Sequence, residues 1–428
     1  MTDKASPTIS RVLDDGALIE LVYDPVLQST ALAEGALDGS SHIKQRIELL
    51  SGETLVPYAA DNNLITSGCV LLPSAIGPWA GKAQLLSDLR SFIHAYVDLP
   101  EPYEEIAAHY VLLSWVYDAF TDLPYLRFKG DYGTGKTRAL LVLGSLSYKG
   151  FFASGASTVS PIFHIQDAFQ GTLILDEADF RYSDASSQLT KILNNGSTRG
   201  LPVLRTMANR HRELNPQAFR VFGPKVVGMR HRFSDLALES RFITCETSGR
   251  GVRSDIPIHL PNQFATEALA LRNKLLAWRF RCRFSVGPDP SRQAQGIVPR
   301  YRQSSWALLS LVDEADLRVK IARELAGEEA RVMSERADSL EAAMLGALID
   351  TFATSPNAEA PIKEIAARFN AAAAEDLGRP MSNKWVASFV RRQLTLPTLR
   401  VGGVYVVPAS ERAKVAALAA RYGVAEAA

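Results

Sequence analysis

The sequence predicts an α/β protein, a parallel sheet with helices on both faces. A β-rich segment precedes it and a helical segment follows. Three observations predict this. From residue 124 onward, short apolar runs alternate with helical runs, the pattern of parallel strands joined by crossover helices. A glycine-rich stretch, GDYGTGKT (130–137), falls between a strand-like run (YLRF) and a helix-like one (TRALLVLG). The run GTLILDE ends a buried-type strand in two acids.

The bulk properties set limits. The chain has 428 residues, enough for two or three domains, with 47% hydrophobic and 22% charged residues and a formal net charge of +1. No apolar run is long enough to span a bilayer, and the first residues lack the apolar core of a signal peptide. Cys69, Cys245 and Cys282 lie far apart without a CxxC pair. That speaks against a disulfide framework or zinc site and fits a reducing cytoplasm. A basic surface for nucleic acid has to be local.

Taken in order, residues 1–80 read as a β-rich domain, with ALIELVYDP, SHIKQRIELL and NLITSGCVLLP as short strands. Residues 81–122 read as a helical connector with helices at 83–98 and 103–120. The α/β core spans 123–250. Its strands are expected at PYLRFKG, GFFASG, GTLILDE, 201–208, 218–228 and RFITCE, and its helices at TRALLVLGSLS, SPIFHIQDAF and 184–195. Residues 251–336 read as a helical lid, with helices 262–280 and 303–334 around a loop at 285–299. Residues 337–428 show helices 339–353, 361–377 and 382–395, then LRVGGVYVV as a hairpin. Three helices followed by a hairpin is the winged-helix order.

Residues 130–137 satisfy GxxxxGK[ST] in full. Gly130, Gly133 and Gly135 let the backbone bend around a phosphate. The amides around Thr134 and Gly135 and the helix N-terminus then face the anion. Lys136 is positioned for the β- and γ-phosphates of ATP and Thr137 for Mg²⁺. Asp176 closes the acidic strand and is expected to hold the metal's water shell. Glu177 is expected to polarise an attacking water, which favours hydrolysis over binding alone.

Asp176-Glu177-Ala178-Asp179 spells the motif of the DEAD-box helicases. The resemblance ends there. Thr137 and Asp176 are only 39 positions apart, there is no Ser-Ala-Thr downstream, and no second α/β domain follows. The compact spacing instead resembles the AAA+ class, and within it the superfamily 3 and minichromosome maintenance helicases of viruses, phages, plasmids and mobile elements. Ser240-Arg241-Phe242 strengthens the resemblance, because a Ser-Arg-Phe there supplies an arginine finger to the neighbouring subunit. The resemblance also implies a lid arginine that reaches the γ-phosphate of its own subunit, with Arg300 the candidate and Arg302 its rival. It implies a polar sensor on the strand between the phosphate-loop and acidic strands; Lys225 and Arg230 stand where Asn or Thr is usual.

Residues 196–232 hold eight Lys or Arg and one acid, Glu213. They concentrate on an expected hairpin, LPVLRTMA–NRHRELN–AFRVF. Its place in the order matches the pore hairpin with which such helicases grip DNA, so Arg205, Arg210, His211 and Arg212 are DNA-contact candidates. A solvated charged loop is the alternative. Lys384, Arg391 and Arg392 lie on the third C-terminal helix, the element that enters the major groove in a DNA-binding winged helix; protein contact is equally open. The basic helix 271–284 can line either a subunit interface or a DNA path.

Together these features predict an oligomeric ATPase, most simply a hexameric ring, that translocates on single-stranded or forked DNA as a replicative helicase, with a primase or other replication proteins as candidate partners. A nucleotide-driven assembly switch in phage defence and a DNA-binding initiator or loader are the alternatives.

Overall fold

The computed structural model describes residues 5–154, 157–176, 184–208, 214–233, 235–248, 253–297, 299–337, 339–355, 359–377 and 380–424. The chain divides into two compact units, Met1–Leu325 and Ala326–Ala428.

The first unit opens with seven short strands: β1 (Ala5–Thr8), β2 (Ser10–Val12), β3 (Leu18–Asp24), β4 (Ser29–Gly35), β5 (Ser41–Lys44), β6 (Ile47–Glu48) and β7 (Thr54–Pro57). Strands β2 to β5 form an antiparallel meander. Strands β1, β7 and β6 form a second sheet, in which β1 and β7 run parallel. The run NLITSGCVLLP, expected as a strand, begins instead as a helical turn, α1 (Asn63–Thr66). The Asn62 side chain accepts the Leu64 amide at 3.0 Å, a local cap that competes with strand pairing. Its later part is extended, and Val70 bridges Phe151.

Helices α2 (Lys82–Tyr96) and α3 (Tyr103–Trp115) follow. Helix α3 ends before residue 120, where the chain tightens into a 3₁₀ turn at Tyr117–Ala119. The core then alternates β8 (Tyr125–Lys129), α4 (Lys136–Leu146), β9 (Phe151–Ser154), α5 (Val159–Phe169), β10 (Leu173–Asp176) and α6 (Asp184–Asn195). Next come β11 (Val203–Ala208), β12 (Leu214–Phe219), β13 (Lys225–Met229), α7 (Leu236–Glu239) and β14 (Phe242–Glu246). Five strands form one parallel sheet in the order β14-β8-β13-β10-β9. Strand β13 therefore lies between the phosphate-loop strand and the acidic strand, as expected.

The run 218–228, expected as one strand, is two. Residues 214–219 pair antiparallel with β11 to make the hairpin, and 225–229 enter the central sheet. Gly223 and Pro224 lie between them, and Pro224 has no N–H to give to a strand ladder.

The N-terminal strands share their core with this sheet. Ile19, Leu21, Leu32 and Leu55 belong to the same buried cluster as Tyr125, Phe151, Phe163 and Leu173. An ionic cluster joins them too. Glu20 on β3 meets Lys149 Nζ at 2.9 Å and Arg279 Nε at 2.7 Å and accepts the Tyr148 hydroxyl at 2.8 Å. Arg279 also reaches Asp118 at 2.8 Å. The guanidiniums of Arg279 and Arg283 hold the Asp118 carboxyl well below the usual carboxylate range against the opposing effect of its burial.

Helices α8 (Gln263–Cys282), α9 (Pro299–Leu309) and α10 (Ala315–Ala337) complete the helical part. The run 303–334, expected as one helix, breaks at 310–314. Side chains take the carbonyls there: Arg292 donates to Ser310 and Val312 at 3.0 Å each, and Lys82 donates to Leu311.

The second unit has its own buried cluster, which includes Leu345, Phe369, Val386 and Val390. It comprises α11 (Leu340–Thr354), β15 (Ala360–Pro361), α12 (Ile362–Leu377), α13 (Asn383–Arg392), β16 (Leu399–Val401), β17 (Val404–Val407) and α14 (Arg412–Arg421). Strands β16 and β17 form the expected hairpin. Gly402 and Gly403 sit at φ 56° and 85°, so both central positions of the two-residue turn are left-handed. Strand β15 adds a third, and α14 has no counterpart among the sequence expectations. No helix among the described residues is long and apolar enough to cross a membrane.

Candidate functional site

The glycine-rich loop runs from the end of β8 to the start of α4. Gly133 and Gly135 have φ of 77° and 85°, which L side chains rarely adopt. Gly130 is needed for a different reason. A Cβ there would come within 2.3 Å of the Thr247 hydroxyl and 2.8 Å of the Ser248 hydroxyl. Those two residues follow β14 and shape the loop from outside. Ser248 accepts the Asp131 amide at 3.0 Å, and the Thr247 and Thr134 hydroxyls meet at 2.8 Å. Lys136 donates to the carbonyls of Gly130 and Asp131 at 2.7 and 2.5 Å.

Thr137 and Asp176, 39 positions apart in sequence, are in contact. The Thr137 hydroxyl donates to an Asp176 carboxylate oxygen at 2.8 Å. The pairing follows from the sheet, because β10 and β8 flank β13 and end on the same side. Gly228 on β13 leaves room for this carboxylate. A Cβ there would stand 3.1 Å from Asp176 Oδ1. A hydroxyl and a carboxylate converging beside a phosphate-type loop are hard oxygen donors that fit Mg²⁺. Glu177 lies outside the described residues.

Beside the loop opens a cavity of about 630 Å³. Val97, Pro100, Tyr132 and Ile256–Ile258 give it apolar walls. Arg138 closes one side, donating to the carbonyls of Pro257 and Ile258 at 2.9 and 2.6 Å. Sequence reading missed Arg138, Thr247 and Ser248.

Arg241 lies at the opposite end of the sheet. It precedes Phe242, which pairs with Tyr125 at the start of β8, whereas the loop follows Lys129 at its end. Its guanidinium donates to Ser197 Oγ at 2.7 Å, Asn194 Oδ1 at 2.9 Å and the Ala237 carbonyl. Arg300, in the first turn of α9, lines the same small pocket as Arg241, Thr198 and Ser304. The Ser304 hydroxyl donates to the Ser240 carbonyl at 3.2 Å, which ties α9 to the Ser-Arg-Phe segment. The expectation that Arg300 reaches the nucleotide of its own subunit is therefore corrected. The residue sits with Arg241, at the end of the sheet away from the chain's own loop.

Of the two sensor candidates, Arg230 follows the end of β13, and the neighbouring Met229 carbonyl accepts the Gly130 amide at 3.2 Å. Lys225 begins that strand at the far end and is fully buried. Its ammonium is held by the carbonyls of Val221 at 3.0 Å and Gly223 at 2.9 Å, and by the Tyr125 ring. Lys225 is thus a structural lysine at the hairpin root.

The hairpin forms as expected, with Val203 opposite Phe219 and Ala208 opposite Leu214. Arg210, His211 and Arg212 at its tip lie outside the described residues. Arg205 is engaged within the chain. It lies 4.3 Å from the Phe163 ring centroid and donates to Gln188. In the second unit, Lys384, Arg391 and Arg392 are exposed on α13 while Val386, Val390 and Leu394 are buried.

No family model and no curated sequence matches the chain. Solved structures similar to it include the C-terminal region of NrS-1, at 11% identity over 91% of this chain and 96% of that one, with a TM-score of 0.36. The JCV helicase with a bound inhibitor matches at 17% identity over 59% of this chain and 61% of that one, at a TM-score of 0.23. Cdc6p from Pyrobaculum aerophilum matches at 13% identity over 81% and 99%, at a TM-score of 0.21. All three TM-scores are below 0.5, so the reading below stands on the chain's own geometry.

Proposed function

We propose that the chain is an ATP-hydrolysing motor of the AAA+ type that works as an oligomer on DNA, as a replicative helicase. The carrying observation is the 2.8 Å contact between Thr137 and Asp176 beside a complete glycine-rich phosphate loop. In this reading the loop amides and Lys136 hold the phosphates, Lys136 first leaving the Gly130 and Asp131 carbonyls. The 630 Å³ cavity receives the nucleoside. Thr137 and Asp176 hold Mg²⁺, which when bound offsets charge on the phosphates. Glu177, next in the chain after the acidic strand, orients the attacking water and accepts its proton.

Arg241 and Arg300 are too far along the sheet to serve their own loop, which supports their acting on a neighbour's nucleotide in a ring. The pairing of β11 with β12 supports a hairpin that carries Arg210, His211 and Arg212 to DNA phosphates. Helices α8 and α9 serve as lid. The second unit serves as a winged helix whose exposed Lys384, Arg391 and Arg392 offer a further phosphate contact.

The test is strand displacement on forked DNA together with ATPase measured with and without single-stranded DNA. Unwinding and DNA-stimulated turnover are the expected results. Robust ATP hydrolysis with neither would overturn the motor and leave a nucleotide-driven assembly switch or a loader.

A further inference from the structure

The second unit ends in a stretch of uncompensated positive charge. Residues 380–424 hold seven Lys or Arg and one acid, Glu411, in a chain whose formal net charge is +1. None of the seven enters an ion pair among the described residues. Those seen in a hydrogen bond donate to neutral oxygens, as Arg391 does to Thr398 Oγ1 at 3.1 Å and Arg412 to the Phe352 carbonyl at 2.6 Å. The surface of a soluble domain ordinarily mixes both signs, so a surface of one sign calls for an anion.

The hairpin of β16 and β17 adds an aromatic ring to these cations. The Arg391 contact brings the end of α13 to Thr398, two residues before Arg400 on β16. Arg400 stands directly opposite Tyr405 on β17, so the two side chains share one face. Arg391, Arg392 and Arg400 are all exposed. Tyr405 is 52% exposed, and among the described residues it makes no ring contact and no hydroxyl hydrogen bond within the chain. The rest of the hairpin is apolar or bare. Leu399, Val401 and Val404 are exposed on its other face, and Gly402 and Gly403 form its tip. None of these brings a side-chain donor for a phosphate or a base edge, so the hairpin is poorly equipped to grip a duplex groove. A free ring face suits an unstacked base instead. A duplex keeps its bases within the stack, whereas a single strand offers them.

We propose that this face of the second unit binds a single strand of DNA, with one base stacked on Tyr405 and the flanking phosphates on Arg391, Arg392 and Arg400. The proposal rests on the reading of this unit as a DNA contact, and it names the form of DNA and the residue that selects it. It needs no ATP turnover, because the whole site lies within the second unit, Ala326–Ala428.

The test is fluorescence anisotropy of the full chain without nucleotide, using a labelled oligothymidylate and a blunt duplex of equal length. Arg210→Ala/Arg212→Ala protein is the starting point, so that the β11–β12 hairpin of the first unit adds no binding of its own. Saturable binding is expected, tighter for the single strand. Tyr405→Ala should weaken it about tenfold, the effect of one lost base stack, and Tyr405→Phe should retain it. Arg391→Gln/Arg400→Gln should lower the slope of log affinity against log salt by about 1.4. These variants change only exposed side chains, and circular dichroism checks that they fold. Duplex binding as tight as single-strand binding overturns the proposal and leaves a duplex contact. Binding that Tyr405→Ala leaves unchanged, or that Tyr405→Phe weakens equally, overturns it too, because no base then stacks on the ring. No binding of either DNA overturns it and assigns the face to a protein partner. The motor reading is judged separately, by strand displacement with the unaltered chain.

Discussion

The Arg127 guanidinium meets the Glu239 carboxylate in two hydrogen bonds of 2.6 and 2.8 Å, with both side chains sealed from solvent. Arg127 lies on β8, the strand that leads into the phosphate loop. Glu239 lies two residues before Arg241, and it also accepts the Phe233 amide at 2.6 Å. The pair thus joins the strand that positions one end of the site to the segment that presents the arginine at the other. Thr244 supports it from β14, accepting from Arg127 at 2.9 Å.

Glu239→Gln is expected to leave the Arg127 cation buried without its counter-charge. Removing one partner of a buried pair costs roughly 3–5 kcal/mol. Urea denaturation of the wild type and the variant measures it. A loss below about 1 kcal/mol, the range of exposed pairs, would show that the pair contributes little.

Arg241 stands at the opposite end of the sheet from Thr137, so complementation between subunits is expected. Arg241→Ala protein keeps an intact phosphate loop and Lys136→Ala protein keeps an intact Arg241. Each alone should be inactive, and mixed rings should recover part of the ATPase. Arg300→Ala, at the neighbouring position, should complement Lys136→Ala in the same way. A failure to recover activity at any mixing ratio, with mixed oligomers verified, removes the trans role.

How much of this was legible in the sequence depends on how local each feature is. The phosphate loop was legible because its residues are contiguous and its glycines answer to backbone geometry. Asp176 was legible because a buried strand ends on it. Thr247, Ser248 and the Arg127–Glu239 pair were not, because strand pairing across more than a hundred residues brings them together. Lys225 was misjudged for a related reason. Residues 218–228 read as one strand, so the end of that strand facing the loop was not fixed until the break at Gly223–Pro224 was seen. Arg300 looked like a residue of its own site because a helix start was legible while the direction of α9 was not.

Glu20 gives a prediction that joins the N-terminal strands to the core. Its carboxylate serves Lys149, Arg279 and Tyr148 together, and all four groups are buried. Glu20→Gln keeps the size but leaves two cations facing each other with only Asp118 nearby. A loss of several kcal/mol is expected, on the order of a broken buried pair. Limited proteolysis should then cut within residues 5–57 faster than in the wild type. An unchanged digestion pattern with an unchanged denaturation midpoint would rule out this coupling.

Lys225 gives a prediction with a sign. Burial pushes its amine down to about 7 from an ordinary value of 10.5, and no carboxylate contributes to that value. In the unfolded chain the amine returns to the ordinary value. Between pH 7 and about 10.5 the unfolded state therefore binds more protons than the folded one, and stability contributed by this group rises with pH. Below pH 7 both states carry the proton, and the full cost of burying the cation is present. Lys225→Met removes the titration but also deprives the Val221 and Gly223 carbonyls of a donor, so its absolute stability is a poor readout. The slope is the useful one. The difference in unfolding free energy, wild type minus variant, should climb by about 1 kcal/mol per pH unit between pH 7 and 9. Urea denaturation at pH 7, 8 and 9 measures it. Parallel pH profiles for the two proteins would mean that the amine titrates at its ordinary value, and that the carbonyl cradle at the hairpin root holds a stable cation at all these pH values.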